Sequence, residues 1–213
     1  MSELHSDGLR LTPETFPRGW QELAQRETHF ASILDTYGPP PLWDRTPGFP
    51  TLLKIILEQQ VSLASAAAAF RKLCDRLQPL TPHSFLTLND EELKTVGFSR
   101  QKTRYGRILA GALLDGSLDL DAVATMSPAA ARAALVSIKG IGRWTADIYL
   151  LMALLHADIW PHGDLALAKA VQNRLQLPAM PDAHALDRMS EAWAPWRSVA
   201  ARYFWFDYLG GKE

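Results

Sequence analysis

An all-helical fold is predicted for this 213-residue chain by three features. Alternating β-branched stretches of the kind that form half-buried strands are nearly absent. Apolar residues, many of them Ala and Leu, recur at spacings of three and four, the period of a helix face. The points where that pattern starts and stops carry Ser, Thr, Asn, Pro or Gly.

Taken in order, the first predicted helix covers about Trp20 to Tyr37. It ends before a segment with Pro39, Pro40, Pro41, Pro47 and Pro50, which cannot be helix interior. Phe49 to Val61 reads as the next helix, with Ile55 and Ile56 on its apolar face and Gln59 and Gln60 at its end. Ser62 restarts the pattern through Ala64 to Leu77. Thr81 and Pro82 open a short helix, Asn89 to Lys94 form another, and Gly97 stops it. Ser99 to Leu114 follows, with Arg100, Lys102, Arg104 and Arg107 near its start. Ser127 and Pro128 make a cap and first-turn pair for a helix to about Ile138. Beyond the next helix, Pro161-His162-Gly163 breaks the chain and Leu165 to Leu177 resumes it.

With 47% hydrophobic and 21% charged residues the composition is that of a globular protein. No apolar run reaches the roughly 18 residues of a membrane span, so no membrane association is expected. The start, Met1 to Arg10, lacks a basic, then apolar, leader pattern, and an intracellular site of action in cytoplasm or nucleoid is expected. The single Cys74 excludes an internal disulfide, a four-thiolate zinc site and an iron–sulfur cluster held by this chain alone. Net charge is -1, but Lys94 to Arg143 holds eight Lys and Arg against three Asp, a local balance of +5 that leaves -6 for the remainder. Such asymmetry permits a basic face on an acidic body; solvated helix faces produce it as well.

The chemistry concentrates between Leu135 and Ala170. Lys139-Gly140-Ile141-Gly142 separates two helical patterns, and two glycines one residue apart allow a tight turn with exposed backbone. The helix beginning near Arg143 presents unpaired N–H groups and the positive end of its dipole, flanked by Lys139 and Arg143, a setting suited to a phosphate. A Gly-containing turn is also ordinary in any helical bundle. Asp164 precedes the helix from Leu165, an N-cap position where an anion is stabilised by backbone N–H groups. On the residues alone, a cap and nothing more is the usual reading of such an Asp.

The order Gly140-Ile141-Gly142, Trp144-Thr145-Ala146, then Asp164 twenty residues after the Trp, resembles the helix-hairpin-helix DNA glycosylases, and within them the 3-methyladenine-DNA glycosylase II (AlkA-like) branch. Supporting blocks are Glu58-Gln59-Gln60-Val61-Ser62, Val96-Gly97-Phe98-Ser99-Arg100-Gln101-Lys102, and Trp196-Arg197-Ser198 with Ala201 and Trp205. The resemblance runs from about Leu52 to Tyr208. It implies a two-lobed, all-α bundle with an interlobe active-site cleft and no N-terminal β domain. One lobe is expected over 52–172, carrying the hairpin at about 128–156 and the catalytic Asp. The other is expected from 1–51 and 173–213.

The resemblance makes Asp164 the catalytic carboxylate, with Trp144, Trp205 and Ile148 lining a pocket for an alkylated base. Aromatic faces favour a cationic base by about 0.5–2 kcal/mol per contact. Strand-cutting relatives resemble this chain but carry a Schiff-base Lys where Trp144 stands, so a monofunctional hydrolase with water as nucleophile is implied. Gln60 matches the wedge that fills the gap left by an extruded base. Gln59, Lys139, Gly140, Gly142, Arg143, Arg100 and Lys102 complete the expected DNA contacts. The resemblance also implies a monovalent cation on the backbone carbonyls of Val136, Ile138 and Ile141, and no other cofactor. Two departures stand out: Ile148, where close relatives can carry another aromatic, and Lys139, where relatives frequently have Pro. The implied partner is duplex DNA containing 3-methyladenine, 7-methylguanine or related adducts, met by a monomer. A glycosylase for another lesion and a non-catalytic DNA-damage-binding module remain the alternatives.

Overall fold

The computed structural model describes residues 8–212, so most of the Met1 to Arg10 stretch lies outside the described residues. Thirteen α-helices and no strand are found among them; the sole bridge there joins Arg10 and His156. No helix of the described residues is long and apolar enough to cross a membrane. Two compact units result. Arg45–Tyr149 is one, and the described residues up to Asp44 join those from Leu150 onward in the other. These bounds differ from the expected 52 and 172, because the chain after Tyr149 makes its contacts with the terminal segments. Asp164 accordingly belongs to the terminal unit and the hairpin turn to the central one.

In the central unit, α3 (Phe49–Glu58) starts with Pro50 in its first turn. Gly48 before it donates its N–H to Tyr149 Oη at 2.9 Å. Next come α4 (Leu63–Arg76), capped by Ser62, and α5 (Pro82–Leu86), opened by a capping box between Thr81 and Ser84. The box between Asn89 and Glu92 starts α6 (Asp90–Val96), and Gly97 ends it. Ser99 caps α7 (Arg100–Leu114), Asp119 caps α8 (Leu120–Thr125) and Ser127 caps α9 (Pro128–Val136). The division between units falls inside α10 (Arg143–Met152). Helix α3 packs on α4 and α7, and α7 on α5. Leu53, Ile56, Phe85, Leu93, Phe98 and Leu109 fill the core between them, each stabilising the fold by about 1.5–3 kcal/mol.

The terminal unit contains α1 (Thr15–Arg26), α2 (Thr28–Tyr37), α11 (Leu165–Arg174), α12 (Ala183–Ser190) and α13 (Arg197–Tyr208). Helix α13 is buried on all sides from Ser198 to Phe206. Its Tyr203 and Phe204 join Phe30, Trp160 and Trp193 in an aromatic core with ring centroids 4.9–6.4 Å apart. Arg202, fully buried, donates to the carbonyls of Leu42, Ser198 and Leu151 at 2.6–3.0 Å. Burial draws its pKa down to about 9, and the three carbonyls take the place of water around the guanidinium.

The observed helices depart from the sequence-based elements at several points. The single N-terminal helix is two, separated by extended Glu27. That break lets α2 turn Phe30 into the aromatic core, so packing overrides a continuous helical pattern. Helix α1 also starts earlier, at Thr15, because Thr12 Oγ1 accepts the N–H groups of Glu14 and Thr15. Helix α3 stops at Glu58 rather than Val61, with Gln59 extended and Gln60 left-handed (φ +55°). Helix α11 stops at Arg174, three residues short of Leu177. Helices α8 and α12 were too short for periodicity to register, although Asp119 and Asp182 mark their starts.

Candidate active site

Helices α9 and α10 form a hairpin whose turn spans Ser137 to Gly142. It is closed by Ile141 N–H to Ile138 O at 3.0 Å, and Gly142 O then accepts from Ala146 N–H as α10 begins. The two glycines serve different ends. Gly140 adopts φ +104°, and a Cβ there would lie 2.4 Å from Tyr105 Cγ, so the turn demands glycine for both backbone and space. A Cβ on Gly142 would meet no atom within 4 Å. Gly142 is exposed at the start of α10, with Lys139 and Arg143 exposed beside it.

An ion pair that sequence reasoning missed ties the hairpin together. Asp147 is fully buried on α10; its Oδ1 accepts from Arg132 Nε of α9 at 2.5 Å, and its Oδ2 lies 3.7 Å from Arg143 Nε. The Arg143/Asp147 spacing of four residues was the available signal. Arg143 thus keeps one side toward Asp147 and remains half exposed.

Several expected DNA contacts are distributed otherwise. Gln59 does not face solvent as a free amide. Its Nε2 donates to Gly140 O at 3.0 Å and to Thr145 Oγ1 at 2.9 Å. Gln60, the next residue, is exposed, with the left-handed backbone that only a minority of non-glycine residues adopt. Lys102 turns inward: its Nζ donates to Leu57 O at 2.6 Å in the last turn of α3, where a cation complements the helix dipole, and desolvation lowers its pKa. Arg100 is exposed at the start of α7. It shares an open groove of about 430 Å³ with Arg104, Arg107 and Asp90, and Arg107 spends its guanidinium on Leu88 O and Asp90.

In the terminal unit the loop before α11 turns at Gly163 (φ +75°) and delivers Asp164 to the N-cap. Asp164 Oδ1 accepts Leu167 N–H at 2.7 Å, and the indole N–H of Trp205 reaches the same oxygen at 3.5 Å. The residue is 9% exposed. This joins Asp164 and Trp205, two of the four residues expected at the reacting centre. His162, in the same loop, is only partly exposed. Its Nδ1 lies 2.9 Å from Asp187 Oδ2, and its ring packs edge-on against His184. In the central unit Trp144 is half-buried, whereas Ile148 is 3% exposed and packs with the core. Among the described residues no group of three or more His, Cys, Asp or Glu is placed to hold a metal ion.

An ionisable carboxylate fixed by backbone N–H and an indole, together with a glycine-lined helix N-terminus between two cations, suits charge stabilisation in one unit and phosphate contact in the other. Comparison with known proteins points the same way. DNA-3-methyladenine glycosylase 1 of Schizosaccharomyces pombe is 26% identical over 208 residues, 96% of this chain and 85% of that protein. The solved structure of an S. pombe 3-methyladenine DNA glycosylase in complex with abasic DNA superposes with a TM-score of 0.81 at 23% identity, covering 89% of this chain and 95% of that one. A DNA-3-methyladenine glycosidase structure from Bacillus halodurans gives 0.71 at 25% identity, with 92% and 89% covered. Residues 53–196 match the model of the HhH-GPD superfamily of base excision DNA repair proteins, a span that holds the hairpin and Asp164 alike. The chain therefore belongs to the HhH-GPD superfamily.

Proposed function

We propose that the chain is a monofunctional DNA glycosylase that extrudes alkylated bases from duplex DNA and hydrolyses their N-glycosidic bonds. 3-Methyladenine is the principal substrate, with 7-methylguanine and related adducts alongside. The observation that carries this reading is the Asp164 carboxylate, held by Leu167 N–H and the Trp205 indole.

In the reaction, the bond electrons leave with the base as positive charge builds on the deoxyribose. An N-alkylated purine starts cationic and departs neutral, so protonation of the leaving group is unnecessary. Water supplies oxygen to C1′ and its proton passes to Asp164 or to solvent. A fixed anion beside the sugar stabilises the transition state more than the ground state, which is how a single carboxylate accelerates the step. The Trp205 face, beside Asp164, favours a cationic, electron-poor base by stacking and cation–π attraction. Trp144 supports the monofunctional assignment, since an indole forms no Schiff base.

Extrusion requires a hold on the backbone and a filler for the vacated stack. The exposed Gly142 turn with Lys139 and Arg143 supplies the first, and Gln60 supplies the second. A monovalent cation on the carbonyls of Val136, Ile138 and Ile141 would add charge at the phosphate; Ile138 O already accepts one N–H and keeps a second lone pair for it. The protein acts as a monomer on DNA inside the cell.

Synthetic duplexes, each with one lesion, test the assignment. Methylated purines are expected to be released at least about tenfold faster than oxidised or deaminated bases, and the strand should break only after alkali. Faster release of an oxidised or deaminated base would assign the related, different-lesion activity, and strand scission without alkali would reject the monofunctional reading.

A further inference from the structure

The two hydrogen bonds of Gln59 connect features that sequence reasoning treats as independent. Gln59 lies at the end of α3, immediately before exposed Gln60. Its amide spends both hydrogens on the hairpin, one on the Gly140 carbonyl and one on the hydroxyl of Thr145, which is 1% exposed. An amide so used has no hydrogen left for DNA. Gly140 itself cannot drift, because Tyr105 lies where its Cβ would be, and Tyr105 Oη in turn accepts from Gln101 Nε2 at 2.8 Å. On the other side, Lys102 Nζ grips Leu57 O two residues before Gln59. The turn carrying Gln60 is thus tied to the phosphate-binding turn by one side chain, with each end anchored separately.

We infer that Gln59 is a positioning residue. It fixes the distance between the hairpin turn and the Gln60 side chain, so that gripping the backbone and entering the base stack occur in one register. This rests on the glycosylase reading above, but only on its DNA-handling part and not on bond hydrolysis. The left-handed backbone at Gln60 fits that role. A strained conformation persists when its surroundings over-determine it, and the Gln59 bonds supply that constraint.

The test uses the full chain and a duplex with 2-aminopurine beside the lesion, whose fluorescence reports unstacking whether or not a base is released. Gln59→Ala is expected to reduce the unstacked fraction by about tenfold, the scale of two lost hydrogen bonds. Because Gln59 acts through Gln60, Gln59→Ala combined with Gln60→Ala should unstack no less than Gln60→Ala alone. Thr145→Val, which keeps shape but removes an acceptor, should reproduce part of the loss at unchanged melting temperature; it also serves as the readout should Gln59→Ala not fold. Unchanged unstacking in both Gln59→Ala and Thr145→Val, or losses at 59 and 60 that multiply independently, would overturn the inference. Wild-type protein that binds the duplex without unstacking it would instead overturn the reading on which the inference rests.

Discussion

Asp164→Asn is expected to slow single-turnover base release by about a thousandfold, the scale found when one electrostatic partner is removed from a pre-organised site. The substitution isolates charge from structure. Asn is as good an N-cap as Asp, so its Oδ1 can still accept Leu167 N–H and the Trp205 indole. Melting temperature and affinity for duplex DNA should therefore change little. What disappears is the negative charge that the proposed mechanism sets beside the developing oxocarbenium ion. Rapid-quench chromatography of released base, run with thermal melting and a binding titration, separates the three quantities. Unaltered turnover in this variant would remove Asp164 from the mechanism, and a large drop in melting temperature would make it a structural cap.

Gly140→Ala and Gly142→Ala should diverge, although both replace a hairpin glycine by the same residue. At 140 the added carbon lies 2.4 Å from Tyr105 Cγ, on a backbone with φ +104°. Overpacking and left-handed strain together should cost about 2–4 kcal/mol of stability, read from denaturant unfolding. The displaced turn also moves the carbonyl that Gln59 holds, so DNA affinity should fall as well. Adding Tyr105→Ala should recover part of the stability by relieving the clash, though not the φ penalty. Gly142→Ala meets open space and no left-handed φ, so stability should stay within about 0.5 kcal/mol. On the proposed DNA-binding reading its methyl group projects where a phosphate would approach the start of α10, and binding should weaken while folding does not. Equal effects at the two positions, in either assay, would contradict the division of labour assigned to these glycines.

Much of the fold was readable because helix punctuation is local chemistry. Ser127 caps the helix it was expected to cap, Ser99 and Asn89 stand at the expected starts of theirs, and Gly97 ends α6 with φ +108°. The break at Glu27 was not readable, since its cause is the packing of Phe30 against residues far away in sequence. At the candidate site, Asp164 as an N-cap followed from the chain break before it and the helical period after it. The inward turn of Lys102 and the two hydrogen bonds of Gln59 were hidden for a common reason. A long polar side chain carries the same sequence signal whether it reaches solvent or a backbone carbonyl, and only the partners, Leu57 O and Gly140 O, decide between them. The partition of the +5 segment shows the same limit. Arg132, Lys102 and Arg107 are engaged within the protein, whereas Lys139, Arg100 and Arg104 stay exposed. A count of charges therefore overstates the surface offered to a polyanion.

The most direct test of the central claim is to incubate the purified chain with methylated duplex DNA and identify what enters solution. Free 3-methyladenine, matched one for one by abasic sites in otherwise unbroken strands, is the predicted result. Tight, salt-sensitive binding to the same DNA with no free base released would contradict it and leave a damage-binding protein in place of an enzyme.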